Sequence, residues 1–246
     1  GFPPAKVPII PISGYTGDNL IEASNNIPWW KGWKANQSKE VSVEGTTLVD
    51  ALDKFVKIPK RNAEAPFRMP VSGVLKIDGI GSVITGRIEQ GTLRKDDVVG
   101  IVPRGITGCR VFSIEMHHTS HPLAGPGDNV GLNIKGLDKY KLNMPKEGDV
   151  MYIEKQNKLK EVASFRAQVM VQDHPGQLKA AGADGKGGYT PLVHVRTSKA
   201  PCKMTHIHFK KGKKTGNEEV PDPKFIEANE SGEVTFTPQM PLYLET

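Results

Sequence analysis

The dipeptide Asp78-Gly79 restricts this chain more than any other feature. It separates two apolar runs, Val71 to Ile77 and Ile80 to Ile88, and Asp-Gly readily takes up the positive φ values that a tight turn between antiparallel strands demands. Gly81 and Gly86, inside the second run, mark bends or close approaches of two backbones. From Phe67 to about Asn157 turn residues recur at short intervals, as expected of a closed all-β unit. A second set of strands opens near Val162, with Phe165 to Val171, Val193 to Thr197, Val234 to Thr237 and Leu242 to Glu245. The expected fold is mainly all-β: two consecutive small β-barrels, preceded by a short α/β stretch.

In that stretch, Val7 to Ile10 reads as a short strand that opens into Ser13-Gly14. Such a junction is either a plain turn or a loop whose N–H groups meet a ligand oxygen. Pro28-Trp-Trp-Lys-Gly-Trp reads as a packed anchor before a polar surface loop from Ala35 to Gly45, with base stacking beside Lys31 and Lys34 as the alternative. Thr46 to Lys57 is the expected helix, because Leu48, Ala51, Leu52 and Phe55 recur at i, i+3, i+4 and i+7. Thr47 and Asp50 form its N-terminal box, and Pro59 stops it. Ile58 to Pro66, charged and proline-containing, reads as a linker.

With 246 residues and 37% hydrophobic content there is material for two compact domains. No run of 18 apolar residues occurs and no apolar leader opens the chain, so the expectation is a soluble protein with no membrane partner, resident in the cytoplasm. Cys109 and Cys202 fall in different expected domains and read as buried thiols. The formal charge of +6 favours a polyanionic partner.

Strict alternation from Cys109 to His118 puts Arg110, Phe112, Ile114 and Met116 on one face and Val111, Ser113, Glu115 and His117 on the other. A carboxylate and an imidazole two residues apart suit an acid/base pair, a binding platform or a solvated strand edge. Ala124-Gly-Pro-Gly-Asp-Asn-Val-Gly is a tight turn feeding a new strand. Asp173-His-Pro-Gly176 fits D-x-x-G but follows no phosphate loop, and is read as a coincidence. Cys202, His206 and His208 share one face of a regular strand; strand neighbours so close do not easily close a tetrahedral metal site. Lys179 to Gly188 is a flexible loop to which no role is given. Lys210, Lys211, Lys213 and Lys214 are a solvated basic loop or a contact for an acidic surface.

Taken together, Met69 to Gly91, Ser113-Ile-Glu-Met-His-His, Gly127-Asp-Asn-Val-Gly and Pro11-Ile-Ser-Gly-Tyr-Thr-Gly-Asp-Asn closely resemble the translation elongation factors that carry aminoacyl-tRNA, above all elongation factor 1-alpha. The Trp-Lys-Gly-Trp stretch points to that branch rather than to termination or ribosome-rescue relatives. The resemblance implies residues 1–60 as the end of a GTP-binding domain plus linker, 61–158 as a barrel that binds the aminoacyl-tRNA end, and 159–246 as an incomplete third-domain barrel. It implies that Ser13, Gly14 and Tyr15 contact guanine. It further implies that Glu115, His117 and Asn129, with His118, line the pocket for the aminoacylated 3′ end, where an ester, an α-amino group and a ribose hydroxyl need donors and acceptors. GTP and Mg are the cofactors implied for the full-length protein, and aminoacyl-tRNA, the ribosome and a guanine nucleotide exchange factor its partners, with actin as an alternative one. Neither G-x-x-x-x-G-K-[ST] nor Asn-Lys-x-Asp occurs here, so the sequence reads as part of a longer GTPase, and this stretch by itself is not expected to hydrolyse GTP.

Overall fold

A closed ring of antiparallel strands and an open sheet carry most of the structure, a computed structural model that describes residues 3–245. The chain divides into two compact units, Gly1–Lys60 and Arg61–Thr246.

In the first unit, β1 (Trp33–Asn36) pairs with β2 (Ser42–Gly45). The expected polar loop is therefore largely a hairpin. Trp33 and Ala35 turn inward while Lys34 and Asn36 face solvent, an alternation masked by the polar composition around it. The indole N–H groups of Trp30 and Trp33 donate to the carbonyls of Thr46 (2.9 Å) and Thr47 (3.3 Å), so two of the three rings are anchors, whereas Trp29 is exposed. The helix is shorter than expected: α1 (Leu48–Asp50) passes directly into a π-helical turn, Ala51–Phe55. Its cap is a true box, with Asp50 N–H donating to Thr47 Oγ1 and Thr47 N–H to Asp50 Oδ2. The wider π turn changes the 3.6-residue phase, so Ala51 and Phe55 pack with Trp33 while Leu52 points to solvent. Val7 to Ile10 is not a strand; no neighbouring strand among the described residues completes a ladder there.

The second unit opens with β3 (Met69–Ile77) and β4 (Gly81–Arg87), joined at Asp78-Gly79 as expected. Then come β5 (Leu93–Arg94), β6 (Val98–Val102), β7 (Ile106–Met116), β8 (Thr119–His121), β9 (Leu123–Ala124), β10 (Asn129–Lys135) and β11 (Val150–Ile153). The order β10-β4-β3-β11-β6-β7 closes on itself because β7 also pairs with β10, which leaves this six-stranded barrel without an edge. β8 adds to β7, and the short β5–β9 pair stands apart. Inward residues of all six strands fill the interior, among them Met69, Ile84, Ile101, Ile114, Leu132 and Met151.

The alternation expected for β7 breaks at Phe112. Ser113 pairs with Asn133 and Val111 with Ile134, so Phe112 is the extra residue of a β-bulge. Val111 is consequently buried and Phe112 exposed, the reverse of strict alternation, and Arg110 lies at the surface paired with Asp96 at 3.4 Å. Beyond the bulge the phase is restored, with Ile114 inward and Glu115 outward.

The rest of the unit contains β12 (Phe165–Met170), β13 (Leu192–Val195), β14 (Ser198–Gly212), β15 (Val220–Pro221) and β16 (Glu230–Pro238). The order β12-β16-β14-β13, with β15 on β14, is an open half-barrel around Cys202, Met204, Ile207, Val234 and Phe236. Both cysteines are buried and free. Residues 242–245 are not a strand; instead Leu242 enters this core and Tyr243 packs with Val102, Val150 and Tyr152 of the closed barrel. Beside that contact, buried Arg68 forms a two-pronged ion pair with Glu245, at 2.7 and 2.8 Å.

Candidate functional site

β7 ends at Met116, which pairs with Thr119, leaving His117 and His118 as a two-residue hairpin loop. Their φ values, 50° and 62°, are both positive, the backbone of a type I′ turn. Asn-Gly is the usual occupant of such a turn, so two histidines there hold a costly conformation, of order 1–3 kcal/mol each. His117 is thus aimed by a turn and not by strand alternation, which corrects the expectation that it extends the face of Glu115.

On β10, Gly131 pairs with Thr85 of β4 on one side and Glu115 of β7 on the other. Lacking a side chain, it forms the floor of an outward-facing depression between its two neighbours. Asn129 stands two residues away on the same face. The turn that feeds it is fixed locally: Gly127 has φ 100°, its N–H donates to Ile88 O at 2.7 Å, and the Asp128 carboxylate accepts from Gly125 N–H at 2.8 Å. The guanidinium of Arg61 occupies the space that a Cβ on Gly127 would need, while donating to Pro126 O at 3.3 Å.

The result is an open hollow of about 340 Å³ lined by Ser72, Thr85, Gly86, Glu115, His117, Asn129, Val130 and Gly131. The β7–β8 hairpin and the start of β10 therefore bring Glu115, His117 and Asn129 together. His118, the other half of the turn, does not line it. Ser72, Thr85 and Gly131 were not among the expected site residues, because pairing between β3, β4, β10 and β7 decides which residues adjoin. Chemically the hollow offers a carboxylate acceptor, an imidazole, an amide that both donates and accepts, and the Thr85 hydroxyl, over a floor with no side chain.

Ser13, Gly14 and Tyr15 lie in the other unit, in a tight turn. Ser13 N–H donates to Asp18 O at 3.2 Å, Ser13 O accepts from Gly17 N–H at 3.0 Å, and Ser13 Oγ accepts from Thr16. Ser13 is therefore engaged within the turn, whereas Gly14 has open space around it and the Tyr15 side chain is wholly exposed. Asp18 and fully buried Asn19 hold the turn from below, Asn19 donating to Pro11 O and accepting from Ser24 N–H. Hydrogen bonds from Ser24 and Thr16 hold the Asp18 carboxyl below the usual range.

The expected face of Cys202, His206 and His208 does not exist. Bulges between Met204 and His206 and between Ile207 and Phe209 leave Cys202 in the core and both histidines outside. His206 meets Asp222 at 3.1 Å and His208 Nε2 meets Thr235 Oγ1 at 2.7 Å. Among the described residues no three His, Cys, Asp or Glu side chains are grouped to hold a metal ion, and no helix is long and apolar enough to cross a membrane. The basic run carries little free charge: Lys210 pairs with buried Glu230 at 3.0 Å, Lys211 with Glu219 at 3.7 Å, and Lys214 with Glu227.

Comparison with known proteins agrees with this architecture. Residues 81–152 match the family described as Elongation factor Tu domain 2, and residues 164–246 the family described as GTP-eEF1A C-terminal domain-like. Elongation factor 1-alpha of Onchocerca volvulus is 38% identical over all 246 residues, and an oocyte form from Xenopus laevis 39%. The chain spans about half the length of these curated relatives, 50% in each case. Among solved structures, crystal structures of sup35 complexed with GMPPNP and with GDP superimpose with TM-scores of 0.64 and 0.63 at 23% identity, over 96% of this chain and 51% of theirs; that likeness is one of fold. Identity runs over the chain's whole length and the two domain models match in order, so the chain is similar throughout to about half of elongation factor 1-alpha.

Proposed function

We propose that the hollow on the closed barrel receives the aminoacylated 3′ end of tRNA, as part of a protein that delivers aminoacyl-tRNA to the ribosome in a GTP-dependent cycle. One observation carries this reading: Glu115, His117 and Asn129 arrive from a strand, a strained turn and a second strand to line one hollow. The Glu115 carboxylate suits an α-ammonium group or a ribose hydroxyl, and the Asn129 amide suits the ester carbonyl or a sugar oxygen. The bare floor at Gly131 leaves room for the ester to reach the backbone.

In the same reading GTP with Mg serves the full-length protein as its switch. The open turn at Gly14 and Tyr15 would meet the guanine base, with Ser13 holding the turn's shape. An exchange factor as partner and cytoplasmic residence belong to the same reading, supported by the likeness to elongation factor 1-alpha. Actin bundling through Lys210 to Lys214 has less support, since most of that charge is already neutralised within the sheet.

Filter binding of aminoacylated and bare tRNA at low and moderate salt tests the proposal. The chain is expected to favour the aminoacylated form. Glu115→Gln should weaken that form about tenfold, or ~1.4 kcal/mol, in the range of one hydrogen bond to a charged group, with bare tRNA unaffected. Gly131→Val should do the same while leaving stability nearly unchanged, because an added Cβ there meets only Val83 Cγ1 at 3.5 Å. Equal affinity of the unmodified chain for both tRNAs would remove the proposal.

A further inference from the structure

The bulge at Phe112 builds a second feature on the barrel's outer surface. The ring is 45% exposed, with the Lys135 ammonium 4.7 Å and the Lys95 ammonium 5.9 Å from its centroid. The loop that carries Lys95 is pinned to the bulge by two backbone bonds: Asp96 N–H donates to Val111 O at 2.9 Å, and Val111 N–H donates to Asp97 O at 3.0 Å. Neighbouring charges cancel, Arg110 against Asp96 and Lys155 against Asp97. Lys95 and Lys135 have no carboxylate partner among the described residues, and the ring is the group they face. An exposed aromatic face between two uncompensated cations matches a base with its flanking phosphates. The position also fits, since Phe112 lies on β7 three residues from Glu115, about 10 Å along a strand, and Lys135 on β10 beyond Asn129 and Gly131.

We propose that Phe112, Lys95 and Lys135 form a contact point for single-stranded nucleic acid, one base stacking on the ring and adjoining phosphates meeting the two ammonium groups. Lys95 stands at the outer limit of a cation–π contact, so an arriving base displaces little. The site lies outside the hollow and takes a nucleotide whether or not an amino acid is attached.

Oligoadenylate binding to the whole chain, titrated against salt, tests this. Phe112→Ser is expected to weaken binding about tenfold with an unchanged urea midpoint. Lys95→Gln combined with Lys135→Gln should make the slope of log K against log salt shallower by about 1.4, from two lost phosphate contacts. Phe112→Trp should retain binding, and its emission, measured above that of the three native tryptophans, should be quenched by bound oligonucleotide. Unchanged affinity in Phe112→Ser, or unmoved emission in a saturated Phe112→Trp complex, would overturn the stacking site. Equal binding of polyglutamate would overturn the assignment to nucleic acid. Phe112→Ser should weaken aminoacylated and bare tRNA alike, whereas Glu115→Gln should alter only the preference between them, so failure of one site is distinguishable from failure of the other.

Discussion

Leu132→Ala is expected to destabilise the closed barrel by about 3 kcal/mol, read as a lower urea midpoint with an unchanged slope. Leu132 sits in the middle of β10, the strand that closes the ring, and is paired with Ile84 of β4 and Ile114 of β7. All three side chains are completely buried. Removing the isobutyl group forfeits its transfer from water and leaves a cavity that two flanking strands, both locked into the ring, cannot collapse to fill. Leu132→Met, which keeps the volume, should cost less than about 1.5 kcal/mol. A loss below about 1 kcal/mol for the alanine variant would mean that the interior is loosely packed. Because Gly131 precedes Leu132 on the same strand, the alanine variant should also weaken ligand binding in the hollow.

Glu245→Gln is expected to cost about 2 kcal/mol at neutral pH, and its effect should depend on pH in one direction. Arg68 is only 4% exposed, and losing its carboxylate partner leaves a guanidinium with little access to water. The figure lies below the 3–5 kcal/mol typical of a fully buried pair, because the Glu245 side chain is 39% exposed and solvent screens part of the interaction. The hydrogen bond from Arg68 holds the Glu245 carboxyl below its usual range. The unfolded chain then binds more protons in acid than the folded one, so this contribution is complete above the unfolded pKa of about 4.3 and is lost as pH falls through the folded value. Subtracting the variant's stability from that of the unmodified chain isolates this group. The difference should be flat above about pH 6 and shrink steadily in acid. Burial raises the Asp149 carboxyl, a shift of opposite sign, but Asp149 is common to both proteins and cancels. Tyr243, pushed up to about 12 chiefly by burial, stays neutral throughout. A difference independent of pH would show that the carboxylate's charge contributes nothing at this contact.

Legibility differed from place to place for identifiable reasons. The β3–β4 hairpin was readable because Asp78-Gly79 and two apolar runs are local signals. The Thr47–Asp50 box was readable for the same reason. The phase of β7 was not, since the bulge at Phe112 arises from register against β10, a strand seventeen residues on. The histidine face on β14 failed through two bulges against β16. The stretch 242–245 has strand-like composition, yet its hydrogen bonds and packing go to a core segment and to Arg68, just before β3. Where conformation follows from adjacent residues the sequence suffices, and where it follows from pairing it does not.

Taken alone, the chain's residues determined the β-rich architecture, the turn glycines and the resemblance that drew attention to Glu115, His117 and Asn129. All of these rest on chemistry within a few positions of one another. Only the tertiary structure decided that the barrel closes, that His117 enters the hollow from a strained turn while His118 does not, and that Gly131 leaves its floor bare. It alone turned Phe112 outward between two lysines. Those outcomes depend on which backbone groups pair across distant strands, and a shift of one residue in that pairing exchanges the buried face for the exposed one.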